Sequence, residues 1–594
     1  MKKTKIVSTL GPASNTVETI SELIEAGANV FRFNFSHGDH EEQLSRMNMV
    51  REAVEKTGKD VGILLDTKGA EIRTTVQDTT DADYGRAGYI EFNVGDETRI
   101  SMDSEHKGTK EKIAVTYPGL FDDAHIGGHI LFDDGLIDME IVDKDDANRE
   151  LVMVVKNAGM LGSRKGVNAP GISINLPGIT EKDADDIRFG LDNDINFIAA
   201  SFVRKAQDVL DIREIIEEKD MNHVHIFPKI ESQEGIDNID EIIKVSDGIM
   251  IARGDMGVEI APELVPMVQK RIIKKCNAAG KPVITATQML ESMQENPRPT
   301  RAEASDVANA VFDGTDATML SGESANGKYP VEAVGTMARI DMEAESALSE
   351  LGSFQINEFD KSNVTETIGL SVARAAKNLG VKTIVAATES GHTARMISKY
   401  RPDADILAVT FDEHTKRSLM VNWGVFPTVA EKPTTTDEMF DLAAQKAVDL
   451  GFATEGDLIL ITAGVPVGER GTTNVMKVQM IGSKLLQAQG IGESTVVAHA
   501  VVAKNAEEAI KNAKDGMVLV VPTTDKDYMP AIEKASALIV EDGGLTSHAA
   551  VVGIAQDIPV VVGATDATST VVDGELVTVD PRRGIVYRGQ TTAI

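Results

Sequence analysis

Lys229, Glu231 and Asp255 are the residues whose types and spacing point most directly to chemistry. In the run His225-Ile226-Phe227-Pro228-Lys229-Ile230-Glu231, the strand period of two sets Lys229 and Glu231 on one side. Asp255 follows the next strand-like segment, so a second carboxylate stands beside Glu231. Two carboxylates with waters and substrate oxygens suit Mg²⁺, a small ion that keeps part of its hydration shell. The Lys229 ammonium would act on the same substrate oxygens. Along 30–36, Phe31, Phe33 and Phe35 alternate with Arg32, Asn34 and Ser36, which turns the polar trio to one face. A metal, an ammonium and an arginine are what phosphoryl transfer requires, because charge spread over the phosphate oxygens must be neutralised. Taken singly, each residue also reads as a surface lysine or a helix-capping carboxylate.

The elements that must position these groups are short apolar strands alternating with amphipathic helical stretches, the pattern of a parallel α/β domain. Eight strand-like segments occur at 5–10, 30–35, 61–66, 196–201, 223–229, 248–252, 282–286 and 317–321. Eight is the number that closes a (β/α)8 barrel, whose chemistry sits at the C-terminal strand ends. Polar residues gather there: Asp66-Thr67-Lys68, Ser201 to Arg204, Arg253-Gly254-Asp255, Thr285 to Gln288 and Ser321-Gly322-Glu323. Between the third and fourth segments, residues 70–170 carry short β-like runs at 112–117, 129–132, 135–142 and 151–155, as expected of a small β domain inserted as a lid. The expected organisation is a barrel from 1–69 and 171–345, a lid at 70–170, an α/β domain at 346–482 and a further domain at 483–594. Strands are expected at 381–387, 406–409, 517–521, 537–540 and 559–562, and a helix at 393–399.

Bulk properties exclude several classes. At 594 residues the chain is too long for one core. A net charge of -33 argues against a nucleic-acid binder, which needs a basic face; a local basic cluster still suffices for an anionic substrate inside a cleft. No apolar run reaches the roughly 20 residues of a membrane span. The apolar stretch Ile6 to Leu10 is cut by Gly11-Pro12, too short for a signal core. A single cysteine, Cys276, excludes an intramolecular disulfide and fits a reducing cytoplasm.

Asn34-Phe35-Ser36-His37-Gly38, Leu65-Asp66-Thr67-Lys68-Gly69, Lys165-Gly166-Val167-Asn168, Pro228-Lys229-Ile230-Glu231, Ala252-Arg253-Gly254-Asp255-Met256-Gly257, Ala286-Thr287-Gln288-Met289-Leu290 and Met319-Leu320-Ser321-Gly322-Glu323 together resemble the pyruvate kinases, in family order and as far as about residue 480. The resemblance implies transfer of the phosphoenolpyruvate phosphoryl group to ADP, giving pyruvate and ATP. It implies that Arg32 binds the phosphoryl group and Lys229 stabilises its transition state and the enolate, with Arg73 also catalytic. Glu231 and Asp255 would take Mg²⁺ or Mn²⁺, and Asn34, Ser36, Asp66 and Thr67 would take K⁺. Amides of Gly254 and Asp255 with Thr287 would hold the substrate carboxylate. Arg73, Lys165, Arg164 and the turn Asn34, Phe35, Ser36 and His37 would contact the nucleotide. Ser321 and Glu323 would serve the proton relay. Glu71 goes with K⁺ dependence in the family. Ala70, where the family usually has proline, frees φ at the lid hinge. Thr300 and Glu303 form a capping box near the contact by which this family builds homotetramers.

Thr388-Glu389-Ser390-Gly391-His392-Thr393 lies between a strand and a helix, where amides can cradle a phosphate. The family binds a phosphorylated allosteric effector there, helped by a loop like 468–474. Glu389 stands where enzymes activated by fructose bisphosphate are basic, so AMP or a sugar monophosphate is expected instead. Beyond 490, Glu541-Asp542-Gly543-Gly544-Leu545-Thr546-Ser547-His548-Ala549-Ala550 resembles the swivelling phosphohistidine domain of phosphoenolpyruvate-utilising enzymes, with His548 at the phosphorylated position. Direct transfer to ADP needs no phosphohistidine, so a structural or regulatory appendage is expected. Two other readings compete: a dikinase working through His548, and a catalytically dead metabolite sensor.

Overall fold

The computed structural model describes residues 1–351, 364–464, 473–482 and 484–589. The described residues form two compact units. One gathers Met1–Ala373, Thr388–Lys432 and Thr473; the other gathers Arg374–Ala387, Pro433–Val467 and the chain from Asn474 onward.

In the first unit, β1 (Lys5–Thr9), β2 (Val30–Asn34), β3 (Gly62–Asp66), β4 (Phe197–Ala200), β5 (His225–Ile230), β6 (Ile249–Ala252), β7 (Val283–Ala286) and β8 (Ala317–Leu320) close into a barrel. Every neighbouring pair is parallel. All eight expected segments are strands of this barrel. The period of two explains which side chains go where. Val7, Val30, Leu64, Phe197, Phe227, Met250, Ile284 and Ala317 form one interior cluster, joined by Met420 and Val421. Their neighbours Ile6, Phe31, Phe33, Leu65, Ile198, Ile226, Ile249, Ile251 and Val283 pack outward against helices. Full burial of Phe31 and Phe33 contributes about 2–3 kcal/mol each. Following the inward alternation towards the C-terminal ends leads from Val30 to Arg32, from Leu64 to Asp66, from Phe197 to Ser201 and from Phe227 to Lys229. The interior thus turns from apolar to charged along its own strands.

The insertion between β3 and β4 folds on a core of its own, including Phe92, Ile100, Phe132, Ile141 and Leu151. It holds a seven-stranded sheet ordered Ile72–Arg73, Gly166–Asn168, His129–Phe132, Ile137–Asp145, Glu150–Val155, Glu97–Ser101 and Lys112–Ala114. Tyr89–Phe92 and Gly159–Gly162 form a separate pair. The first unit also contains the parallel strands Asp405–Thr410 and Val425–Val429 and the helix His392–Ser398. Thr300 caps the helix Arg301–Asp313 by accepting from Glu303 N, while Glu303 answers with a bond from Thr300 N, as the capping box requires.

In the second unit, Thr383–Ala387 pairs in parallel with Leu458–Ala463, which pairs antiparallel with Val475–Met480. An eight-stranded sheet follows, ordered Lys484–Gln487, Ile585–Arg588, Leu576–Asp580, Val496–Val502, Met517–Val521, Ala535–Val540, Val560–Val562 and Gln489–Ile491. Among the described residues no helix is long and apolar enough to cross a membrane.

Candidate active site

Five side chains, Arg32, Asp66, Ser201, Lys229 and Glu231, meet at the C-terminal ends of β2 to β5. Arg32 donates from Nε to Asp66 Oδ2 and from Nη1 to Thr9 Oγ1 at 3.0 Å. Lys229 Nζ lies 3.5 Å from Asp66 Oδ1 and 2.9 Å from Glu231 Oε1, and donates to Ser201 Oγ at 2.9 Å. Ser201 Oγ in turn donates to Thr67 O at 2.7 Å. Asp66 and Glu231 are each only 1% exposed. Burial alone would raise the Asp66 carboxyl, but Arg32 and Lys229 beside it hold it below its ordinary value. Burial would lower Lys229, yet Asp66 and Glu231 override it and raise the ammonium. Glu231 goes the other way: burial pushes its carboxyl up to about 7, with the charge of Asp255 adding and Lys229 opposing.

That imbalance tests the metal assignment. Glu231 Oε2 accepts from Phe202 N at 2.6 Å, while the buried Oε1 faces only the Lys229 ammonium at 2.9 Å. A buried carboxylate that one ammonium leaves under-compensated, and that a second carboxylate repels, is matched by a hard divalent cation. The pair Glu231 and Asp255 therefore fits Mg²⁺. For the monovalent ion, Asn34 and Asp66 are register partners on β2 and β3, and Thr67 follows directly. Oxygen donors from Asn34, Asp66 and Thr67 are thus brought to one edge. Ser36 is exposed and donates its amide to Asn34 Oδ1 at 3.0 Å.

The turns around the pocket are held in backbone conformations that L-residues rarely adopt. Phe202, Thr287 and Gln288 have φ of 55°, 68° and 52°. For a β-branched residue such as Thr287 this is strain of about 1–3 kcal/mol, which persists only where surrounding contacts enforce it. Arg253 enforces it. Its guanidinium donates to Ala286 O at 3.3 Å, Thr287 O at 2.7 Å and Gln288 O at 3.3 Å, and is anchored by Asp306 Oδ1 at 2.9 Å. Thr287 Oγ1 then accepts from Gly254 N at 2.7 Å, so the Gly254 amide is already engaged.

Two cavities flank this constellation. One of ≈ 570 Å³ is lined by Thr9, Arg32, Asn34, His37, Thr287 and Ser321. The other, of ≈ 330 Å³, lies between the insertion and the strand ends, where Glu71, Asp134, Asn168, Phe202, Asp255 and Glu259 line it. Ser321 Oγ is buried without a partner. Glu323 accepts from Leu290 N at 3.1 Å and Ser321 N at 2.8 Å, and burial raises its carboxyl. On the insertion, Arg73 is clamped by Glu71 at 2.6 Å and donates to Arg164 O at 2.8 Å, while Lys165 Nζ meets Asp133 at 2.9 Å. His37 is exposed on the turn after β2, which Gln43 pins through Asn34 O and His37 O. The Phe35 side chain is buried in the outer core, its N–H donates to Asp66 O at 3.0 Å and its carbonyl accepts from Lys182 Nζ at 3.1 Å. Ala70 lines the ≈ 330 Å³ cavity at the start of the insertion.

Residue reading missed two members of this site. Ser201 was visible as the polar end of β4 and Arg253 as part of a motif, but neither had a role. Ser201 bridges Lys229 to Asp66, and Arg253 sets the Thr287 turn.

The effector-loop residues lie elsewhere. Thr388 and Thr393 are buried, Gly391 has φ 74°, and Thr393 Oγ1 meets Thr473 Oγ1 at 2.7 Å. Lys432 neutralises Glu389 at 3.1 Å. Ser390 is exposed and His392 half-buried. Of the loop at 468–474, residues 468–472 lie outside the described residues. In the second unit, His548 is the first residue of the helix His548–Gln556, exposed, with Nδ1 3.1 Å from Thr524 Oγ1.

Family models match the chain in three places: pyruvate kinase, barrel domain, over residues 1–334; pyruvate kinase, alpha/beta domain, over 366–479; and PEP-utilising enzyme, mobile domain, over 513–584. A pyruvate kinase of Lactobacillus delbrueckii subsp. bulgaricus is 64% identical over 595 residues, covering 100% of both chains. One from Bacillus licheniformis is 56% identical over 595 residues with the same coverage. Among solved structures, a pyruvate kinase from Cryptosporidium parvum aligns with a TM-score of 0.74 at 39% identity, covering 81% of this chain and 96% of that one.

Proposed function

The chain belongs to the pyruvate kinase family, and on that premise we propose that its barrel transfers the phosphoryl group of phosphoenolpyruvate to ADP with Mg²⁺ and K⁺. The observation that carries the reading is the buried group of Arg32, Asp66, Lys229 and Glu231, with Asp255 close enough to shift Glu231. Arg32 and Lys229 bind the phosphoryl oxygens, and Thr287 with the Asp255 amide orients the substrate carboxylate, the Gly254 amide serving through its bond to Thr287 Oγ1. Mg²⁺ at Glu231 and Asp255, or Mn²⁺ in its place, supplies Lewis-acid neutralisation of the phosphoryl and enolate oxygens when bound. The terminal oxygen of ADP attacks phosphorus while the bond to the enol oxygen breaks. Lys229 stabilises the charge left on that oxygen, and the enol carbon then takes a proton relayed through Ser321, a lining residue of the ≈ 570 Å³ cavity whose buried hydroxyl has no partner. Glu323, already accepting two amides, acts by holding Ser321 in place. K⁺ sits at Asn34, Ser36, Asp66 and Thr67. Arg73, Lys165, Arg164 and the 34–37 turn meet the nucleotide.

The division into barrel at 1–69 and 171–345, lid at 70–170, effector domain at 346–482 and appendage at 483–594 follows the same reading, as do a homotetramer and a cytoplasmic setting. Following pyruvate with lactate dehydrogenase tests the assignment. Turnover should require both phosphoenolpyruvate and ADP and fall steeply without Mg²⁺ or K⁺. Binding without turnover would instead make the protein a sensor. In the same assay His548→Ala should leave turnover unchanged, because the attacking oxygen belongs to ADP; its loss would favour a dikinase. AMP or ribose 5-phosphate should activate through Thr388 to Thr393, where Glu389 disfavours a second phosphate. A response to fructose 1,6-bisphosphate alone would refute that effector assignment.

A further inference from the structure

A second cluster of ligating side chains lies at the opposite ends of the barrel strands. Asp194 precedes β4, His223 precedes β5, and His414 lies on the short helix Glu413–Ser418; all three belong to the first unit. Each offers one ligand atom, and these atoms fall within 4.8 Å of one another. Asp194 Oδ1, His223 Nε2 and His414 Nδ1 are all buried, and none has a hydrogen-bond partner. The Asp194 and His414 atoms approach to 3.3 Å without the alignment that a hydrogen bond requires. The Asp194 and His414 side chains are each 43% exposed, yet the three ligand atoms are turned inward, and buried polar atoms left unmatched carry a desolvation cost.

The surroundings are arranged as supports for a ligand shell. Arg417 Nη1 holds the other Asp194 oxygen, Oδ2, at 2.7 Å, which keeps Oδ1 turned towards His414. Asp412 accepts from His414 N at 2.8 Å and Thr415 N at 3.1 Å, fixing the backbone that carries the imidazole. The His223 and His414 rings lie with centroids 3.9 Å apart, tilted by 33°. Nearby Lys416 is neutralised by Asp60 and Glu413. Two imidazoles and one carboxylate form a borderline-soft donor set, favouring zinc and its first-row neighbours over Mg²⁺ or Ca²⁺.

We propose that Asp194, His223 and His414 bind one divalent ion of the zinc class, leaving the remaining coordination positions to water. This site is separate from Glu231 and Asp255 and does not rest on the reading of their chemistry. Its ligands join two barrel loops to the segment that carries the effector loop. Thr415, next to His414, has its hydroxyl shared between Asp412 Oδ2 and Glu389 O, the latter at 3.2 Å, so the ion would lie one residue from a contact with that loop.

The test uses the full chain stripped with a chelator, returned to millimolar Mg²⁺ to fill the hard-oxygen site, and titrated with ZnCl₂. Wild type should retain one more zinc per chain than His414→Gln, by elemental analysis after gel filtration. Its thermal midpoint should rise with the logarithm of zinc concentration, and that rise should vanish in His414→Gln and Asp194→Asn. Co²⁺ in place of zinc should give ligand-field absorption that His414→Gln abolishes. Turnover without zinc should be the same in wild type and His414→Gln, which also shows that the variant folds. Equal zinc content in wild type and both variants would overturn the proposal, leaving an Asp–His contact only. An equal midpoint shift from CaCl₂ would overturn it too, because these donors discriminate against a hard ion.

Discussion

Lys229→Met should lower kcat for phosphoryl transfer by roughly two to three orders of magnitude, in a protein that keeps its fold. Methionine replaces the stem of the lysine at similar volume, so the interior loses little packing. What disappears is the ammonium that stands within 3.5 Å of both Asp66 and Glu231 and donates to Ser201. Arg32 does not take its place, because it lies on Asp66 Oδ2 and Thr9 rather than beside Glu231. The fold survives because Asp66 retains Arg32, while Glu231 relieves its lost partner by taking a proton. Rapid-quench measurement of ATP formation, alongside circular dichroism of the same sample, checks both halves. A folded variant with near-normal turnover would overturn the central assignment.

Glu231→Gln has opposite effects on turnover and on stability. Without metal, burial pushes the wild-type carboxyl up to about 7 in the folded protein, against an ordinary value of 4.5. Between these values the folded state holds more protons than the unfolded one, so this group's contribution to stability falls as pH rises. Above pH 7 the cost is complete, about 3 kcal/mol from a shift of this size; below the ordinary carboxyl value it is absent. Glutamine carries no charge at any of these values. The metal-free variant should therefore match wild type at pH 4.5 and exceed its stability at pH 8, while its Mg²⁺-dependent turnover collapses. Thermal melts from pH 5 to 8 in EDTA, repeated with Mg²⁺, measure this. Mg²⁺ should restore the wild type at pH 8 and leave the variant unmoved. A stability difference that does not grow with pH would contradict the buried, unbalanced carboxylate.

The barrel was legible because each strand announces itself twice, by β-branched content and by alternation. The inward residues Phe227 and Lys229 occupy one alternating row, so the same period that predicts the strand predicts what enters the pocket. The insertion was less legible. Strands of two or three residues, such as Ile72–Arg73 and Gly166–Asn168, are too short for a period to show. They exist because their backbone pairs with distant segments. Arg253 was hidden for a related reason: its function is to hold carbonyls, and a carbonyl has no residue type to recognise. The Asp194, His223 and His414 cluster was hidden by distance, since nothing local to His414 signals two partners about two hundred positions earlier.

The Arg253 guanidinium holds the carbonyls of residues 286, 287 and 288 and reaches Asp306 on the helix Arg301–Asp313. One rigid planar group therefore binds a strained turn to an outer helix. Thr287 and Gln288 cannot relax one at a time, because freeing either carbonyl loosens its neighbour. The turn behaves as a latch with a single pin, and the far end of that pin lies on the outer ring of the barrel. Rotation of Arg301–Asp313 about its own axis would consequently be felt at the substrate carboxylate as a change in aim, with no residue of the pocket replaced.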